Sequence, residues 1–312
     1  MLTALAGGVG AAKLLVGLAA VVDPAEITAV INTGDDLVLH GLYICPDIDS
    51  VTYALAGVNN RATGWGVEGE TWTVADQLRA LGGVTWFQLG DRDLATHLYR
   101  TQRLAEGATL SEVTAELAAA RGVRSRLLPM SDHPVRTRVT LAEPPPGEPP
   151  EVGFQDYFVR LGHQVAVAGL RFDGAERAAP APGVLESIER AALVVCCPSN
   201  PVVSIGPILA VPGVADALVG RRDRVVAVSP IVAGAALRGP ADRLLTELGH
   251  ESSALGVARL YAPWAGTFVV DEADRDLAPA IEALGMRCVV TETVMSDPAR
   301  QTALAKAVLD VG

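Results

Sequence analysis

Leu2-Thr3-Ala4-Leu5-Ala6-Gly7-Gly8-Val9-Gly10-Ala11-Ala12-Lys13 is a short, nearly apolar run closed by three glycines, and a helical pattern follows over 11–21. The run has the length and composition of a buried strand. Glycines let the backbone turn sharply there and bring its N–H groups close to phosphate oxygens, while the helix N-terminus adds unpaired donors and a favourable dipole. Lys13 adds a full positive charge in the first turns. The loop is too short for a Walker A motif, and Lys13 stands where the third glycine of a dinucleotide fingerprint would be. The reading is a phosphate-binding strand–turn–helix start. It also accounts for the apolar first 22 residues without a membrane span, since three glycines and a lysine interrupt the stretch.

Further along the chain, short apolar runs at 27–31, 84–89, 192–197, 225–229, 267–270 and 288–290 read as further strands buried on both faces. Helical patterns lie between several of them, at 74–81, 94–104, 110–120 and 276–284. This alternation predicts an α/β fold, a Rossmann-like doubly wound and mostly parallel sheet. The proline-rich stretch Glu143–Glu151 separates two β-like segments, 135–141 and 152–159. It reads as the tip of a hairpin. The chain is therefore expected to form one domain over 1–312 with a smaller inserted subdomain at roughly 130–184.

Half of the 312 residues are hydrophobic and a fifth are charged, which suits a sizeable core. A net charge of −11 argues against a broad nucleic-acid footprint, though not against an anionic ligand held by backbone amides or a metal. The four cysteines form no CxxC pair and read as reduced core thiols, which points to the cytoplasm.

Polar residues collect where the predicted strands end. Asn32-Thr33-Gly34-Asp35-Asp36 ends the second strand, beside the glycine loop in a doubly wound sheet. An acid there suits a ribose, or, with a phosphate nearby, Mg²⁺. Asp47 and Asp49 follow, and in an extended segment residues two apart share a face and converge on one cation. Asp91 reads as a helix N-cap, Arg92 as an anion clamp and His97 as a member of the same helix. Ser131, Asp132 and His133 read as a binding loop, since adjacency alone makes no triad. Pro198-Ser199-Asn200 and Ser229-Pro230 end two later strands and suit contacts to base, ribose or phosphate.

In this order the segments resemble the 2-phospholactate transferase family. The resemblance runs from Gly7-Gly8-x-Gly10-x-x-Lys13 through Asn32-Thr33-x-x-Asp36, Pro46-Asp47-x-Asp49 and Leu89-Gly90-Asp91-Arg92-Asp93-x-Ala95-Thr96-His97. It continues in Leu128-Pro129-Met130-Ser131-Asp132, Phe154-Gln155-Asp156, Pro198-Ser199-Asn200-Pro201, Val228-Ser229-Pro230-Ile231 and Thr291-x-Thr293-x-Met295. Such enzymes use Mg²⁺ to move a phospho-acid from its guanosine diphosphate derivative to the deazaflavin precursor Fo, releasing GMP, in coenzyme F420 biosynthesis. With those substrates, the chemistry of the strand ends assigns donor contacts to Gly7, Gly8, Gly10, Lys13, Asn32, Thr33, Ser199, Asn200 and Ser229. Metal ligands are expected among Asp36, Asp47 and Asp49, catalysis from Asp49 and Asp47, and Fo contacts from Asp49, Arg92 and His97. The alanine-, arginine- and valine-rich composition looks actinobacterial and favours a phosphoenolpyruvyl donor. Gly8-Val9-Gly10-Ala11-Ala12 departs from the Gly-Thr-Gly-Thr-Pro common in the family, which leaves the phospholactyl donor open. No nucleic-acid or membrane partner is expected, and a homodimer is left open. Two rivals compete: a non-catalytic nucleotide-sugar-binding regulator of the gluconeogenesis-factor type, with a similar glycine-rich start, and an NAD-dependent dehydrogenase. The surplus acids and missing third glycine weaken the dehydrogenase, and the later motifs favour the transferase over the regulator.

Overall fold

The computed structural model describes residues 1–237 and 239–312. Along the chain it begins with β1 (Leu2–Ala6), α1 (Gly8–Ala19) and β2 (Ile27–Ile31), followed by a small hairpin, β3 (Leu37–Leu39) and β4 (Leu42–Ile44). Four helices come next: α2 (Pro46–Leu55), α3 (Thr73–Ala80), α4 (Asp91–Ala105) and α5 (Leu110–Ala120). After β5 (Arg126–Pro129) the chain forms β6 (Arg136–Leu141), β7 (Glu151–Gly153) and β8 (Val167–Asp173), then returns with β9 (Leu193–Cys196) and β10 (Val225–Val228). A short hairpin, β11 (Ile231–Val232) and β12 (Ala235–Ala236), precedes β13 (Thr267–Asp271) and β14 (Arg287–Thr291).

Seven strands make one sheet in the order β14-β13-β10-β9-β1-β2-β5, every neighbouring pair parallel. Alternate residues of each strand feed opposite cores. Leu5, Val30, Val194 and Cys196 belong to one apolar cluster, and Ala4, Ala29, Ile31 and Val195 to another. Burial on both faces is why these strands read as unbroken apolar runs, and it requires helices on both sides. The expected doubly wound α/β architecture is what the chain adopts.

Three local readings are corrected. Residues 84–89 are not a strand; the edge beside β2 is taken by β5, and Val84 lies exposed. That edge position tolerates Pro129, because an outer strand can lose one N–H. The segment 152–159 is strand only to Gly153 and then winds into a single π-helical turn, Asp156–Arg160. Residues 46–55 are helical, so Asp47 and Asp49 sit on the first turn of α2 and not on an extended face.

β6, β7 and β8 form a separate antiparallel sheet in the order β7-β6-β8, with the proline-rich stretch joining β6 to β7. This small sheet has its own apolar cluster around Val139, Val152 and Tyr157, shared with Val203 and Leu244 of the main body. Cys45, Cys196 and Cys197 are buried and Cys288 half-buried, all as free thiols.

Candidate active site

A cleft of about 710 Å³ opens at the carboxyl edge of the sheet, over β1 and the loops that follow β2, β9 and β10. β1 sends its chain to β2 on one side and has β9 on the other, so the crevice lies where the winding reverses, the usual ligand position in such sheets. Gly7, Gly8, Gly10 and Lys13 line it. Gly8 has φ +72°, a left-handed backbone that side chains resist. A Cβ on Gly10 would stand 2.3 Å from the carbonyl oxygen of Pro198, so only glycine lets the β1 and β9 loops close up. Lys13 Nζ donates to the Met295 carbonyl at 3.0 Å.

The Asp47 carboxylate is held under the glycine turn. Its Oδ2 accepts from Asn32 Nδ2 at 2.9 Å, and the Gly8 N–H also donates to the carboxyl. Burial pushes Asp47 up to about 6, against those two hydrogen bonds. Asn32 is fully buried and also accepts from Gly34 N–H at 2.8 Å, so it braces the turn and does not line the cleft. Thr33 is buried with its hydroxyl unpartnered and likewise lies outside the cleft. Asp35 does line it, and burial followed by the charge of Asp47 raises its carboxyl well above the usual range.

On the β9 side, Ser199 Oγ accepts from Gly7 N–H at 3.2 Å, and Asn200 Oδ1 accepts from the N–H groups of Val202 and Val203. Ser229 bonds to the backbone of Ile231 through its hydroxyl. All three face the cleft while bracing their own loops.

A second cluster lies across the glycine turn, between α2 and α4. Asp93, His97 and Arg100 recur at helical spacing on the buried face of α4, and Arg100 is wholly buried. The Arg100 guanidinium pairs with Asp49 Oδ1 and points a second amine at His97 Nδ1, 3.2 Å away. A guanidinium only donates, so His97 Nδ1 is the acceptor and Nε2 faces Asp93 Oδ2 at 3.4 Å. Tyr53 donates to Asp93 Oδ1 at 2.5 Å. Burial works against an Asp93 charge, but the neighbouring His97 ring and the bond from Tyr53 outweigh it and hold that carboxyl below its usual value. Asp49 Oδ2 and His97 Nε2 remain buried without hydrogen-bond partners. Asp49, Asp93 and His97 bring one ligand atom each within 4.8 Å of the others, the one such trio of His, Cys and acid groups among the described residues.

Asp36, Asp47 and Asp49 are not gathered in this way. The helical first turn of α2 directs Asp47 toward Gly8 and Asn32 and Asp49 toward Arg100. Asp36 accepts from Cys45 Sγ and lines a separate cavity of about 190 Å³ with Arg136 and Thr137. Arg92 is exposed, bonds to the Glu68 carbonyl at 2.8 Å and lies outside the cleft. Asp91 caps a neighbouring helix: its carboxylate accepts from the N–H groups of Thr73 and Val74 at the start of α3. Ser131, Asp132 and His133 are engaged with Ala179 and with Ser111 on α5, away from the cleft. Asp93 and Arg100 had a signal in the sequence as the i−4 and i+3 neighbours of His97 on one helix face, whereas Tyr53 comes from α2 and had none.

The chain matches the model of the 2-phospho-L-lactate transferase CofD family over residues 2–303. It belongs to that family. Among its relatives, a phosphoenolpyruvate transferase from Streptomyces griseus is 46% identical over 98% of this chain and 96% of its own length. Another from Kitasatospora aureofaciens is 44% identical over 99% and 96%. A crystal structure of a UPF0052 family protein from Bacillus halodurans superposes with a TM-score of 0.61 at 17% identity, covering 99% of this chain and 98% of that one, and supports the fold alone. As a CofD-family member the chain is a transferase of coenzyme F420 biosynthesis, which disfavours both the regulator and the dehydrogenase. Small-molecule substrates follow from membership, and no helix among the described residues is long and apolar enough to cross a membrane.

Proposed function

We propose that this CofD-family transferase moves a phosphoenolpyruvyl group from its guanosine diphosphate derivative to the terminal ribityl hydroxyl of Fo, 7,8-didemethyl-8-hydroxy-5-deazariboflavin. GMP leaves, and the product is dehydro coenzyme F420-0. A 2-phospholactyl donor would give F420-0 by the same displacement. The relatives named phosphoenolpyruvate transferase favour the first donor. The observation that carries the reading is a single cleft holding a phosphate-type glycine turn beside a buried carboxylate cluster.

The hydroxyl oxygen attacks the phosphorus bearing the three-carbon acid while the bond to the GMP oxygen breaks. In-line positioning and neutralised diphosphate charge serve such a step better than a covalent nucleophile. The Gly7–Gly10 amides and Lys13 steady the diphosphate, and Ser199, Asn200 and Ser229 stand on the nucleoside side. Asp49, with one oxygen fixed by Arg100 and the other unpartnered, orients or deprotonates the Fo hydroxyl. Two carboxylates with unspent ligand capacity suit Mg²⁺, which takes few protein oxygens and completes its shell with phosphate and water. Asp49 and Asp93 would hold it, and it would neutralise diphosphate charge. The chain would act in the cytoplasm.

Equilibrium titration tests this reading: Fo fluorescence should report binding of Fo in the presence of saturating GMP and Mg²⁺, one of each per chain. Failure to bind either ligand would contradict it.

A further inference from the structure

Of residues 56–88, only Val67 is buried. A stretch of that length without a core of its own opens at low cost, because few apolar contacts hold it down. It nevertheless forms part of the cleft wall. Trp65 and Gly66 line the cleft, and Trp65 meets Trp72 edge to face at 6.4 Å. The chain leaves α2 at Gly57 and α3 at Gly82, with φ of +69° and +74° and open space where a Cβ would stand. Glycines so placed absorb a change of chain direction without breaking side-chain contacts.

One seam of hydrogen bonds to the first turn of α4 fastens the stretch. The Glu68 carbonyl accepts from Arg92, Thr71 Oγ1 donates to Asp91 Oδ2 at 2.6 Å, and the Asp91 N–H donates to the Thr71 carbonyl at 2.9 Å. At the centre of the seam, Glu70 Oε2 accepts from the Arg92 N–H at 2.8 Å and Oε1 from the Asp93 N–H at 2.9 Å. A Cβ on Gly90 would stand 2.2 Å from Glu70 Cδ, so this glycine, whose φ is an ordinary −75°, makes room for the carboxylate over the helix start. Asp93 is therefore gripped twice. Glu70 holds its backbone from the flap side, and Tyr53 holds its carboxylate from α2. Its other oxygen faces His97, and a ligand atom of Asp93 lies within 4.8 Å of one on Asp49.

We infer that residues 57–83 are a hinged flap over the cleft and that Glu70 is its latch, a positioning residue that sets Asp93 in the acid cluster when the flap is closed. The orphan N–H groups and the dipole at the start of α4 favour an anion, which gives the latch its hold. Opening admits the substrates. Closure excludes water and completes the cluster in one movement. With the latch broken, water competes with the Fo hydroxyl: its oxygen bonds to the phosphorus, the bond to the GMP oxygen breaks, and free phospho-acid, GMP and a proton result. The flap stands on geometry alone, whereas the role toward Asp93 rests on the transferase reading.

Hydrogen exchange by mass spectrometry and product analysis, both on the full chain, test the two halves. Glu70→Ala should raise exchange across 57–83 about fivefold or more, as loss of a helix cap does, while β1 and β9 keep their protection. It should also lower kcat about tenfold, the scale of a slightly misplaced group, and release more GMP than coupled Fo product, with free phospho-acid making up the difference. Glu70→Gln keeps one acceptor and should fall between. Gly90→Ala leaves Glu70 in place in the sequence but displaces its carboxylate, and should reproduce Glu70→Ala. Unchanged exchange across 57–83 in both alanine variants, or equal loosening of β1 and β9, overturns the flap. Raised exchange with unchanged kcat and GMP still equal to product overturns the latch. If the unaltered protein transfers nothing, the transferase reading fails, and the exchange result still decides the flap.

Discussion

Asp49 is the carboxylate proposed to act on the acceptor hydroxyl, and buried charge holds it in place. One of its oxygens is fixed by the wholly buried Arg100, and the other is unpartnered at the cleft. Asp49→Asn keeps the shape but removes the charge, and it should lower kcat by about 10²-fold or more, in the range of a lost general base. GMP affinity should stay within a few-fold by calorimetry. Near-normal turnover would take Asp49 out of the chemistry. Arg100→Met strands Asp49 as an uncompensated charge and should cost about 3–5 kcal/mol in urea denaturation; an unchanged midpoint would mean the pair contributes little. The glycine turn was legible in the sequence because phosphate-type turns need glycine at set places, as Gly8's positive φ and Gly10's contact with Pro198 show. The partition of Asp47 from Asp49 was not. It depends on Pro46–Leu55 being a helix, and that distinction sends two nearly adjacent acids to different partners.

At the scale of elements, α3 and α4 are joined by a reciprocal exchange of caps. Asp91, on the first turn of α4, accepts from the N–H groups of Thr73 and Val74, and Glu70, just before α3, accepts from those of Arg92 and Asp93. Each carboxylate satisfies the orphan donors of the other helix. Because α3 has no buried residue, this exchange anchors it more than packing does. Asp91→Ala should cost about 1 kcal/mol of stability and raise amide hydrogen exchange across 73–80. Unchanged exchange there would show that α3 is held by something else. The run at 84–89 shows where pattern reading fails. Trp86 and Phe87 look like strand interior but face the cleft, and composition does not distinguish a ring that waits for a ligand from one that fills a core. The central strands were legible because burial on both faces leaves an unbroken apolar signature.

For the whole molecule, buried acids at the sheet edge set the response to pH. Burial, partly offset by Arg136, pushes Asp36 up to about 7 from 3.8, so the folded state binds its proton more tightly than the unfolded chain does. The stabilisation is complete below pH ~4 and is lost as pH rises through ~7, with a slope of at most about 1.4 kcal/mol per pH unit for one proton. Asp47 and Asp35 carry the same sign. Urea midpoints measured at pH 5 and pH 8 should therefore fall with rising pH, and Asp36→Asn should make the fall shallower. Equal slopes in the two proteins would contradict the role given to Asp36. The acids that cost stability stand at or beside the cleft, as expected when a fold keeps charge in place for a reaction.

Transfer of a three-carbon phospho-acid from a guanosine diphosphate to Fo, the proposed reaction, is tested by anaerobic turnover. Purified protein, Fo and Mg²⁺ would be mixed with freshly generated phosphoenolpyruvyl- or phospholactyl-guanosine diphosphate and followed by mass spectrometry. A coupled Fo product and an equal amount of GMP should form, faster with the phosphoenolpyruvyl donor. Absence of product from both donors, with Fo and guanine nucleotide left unbound, would contradict it.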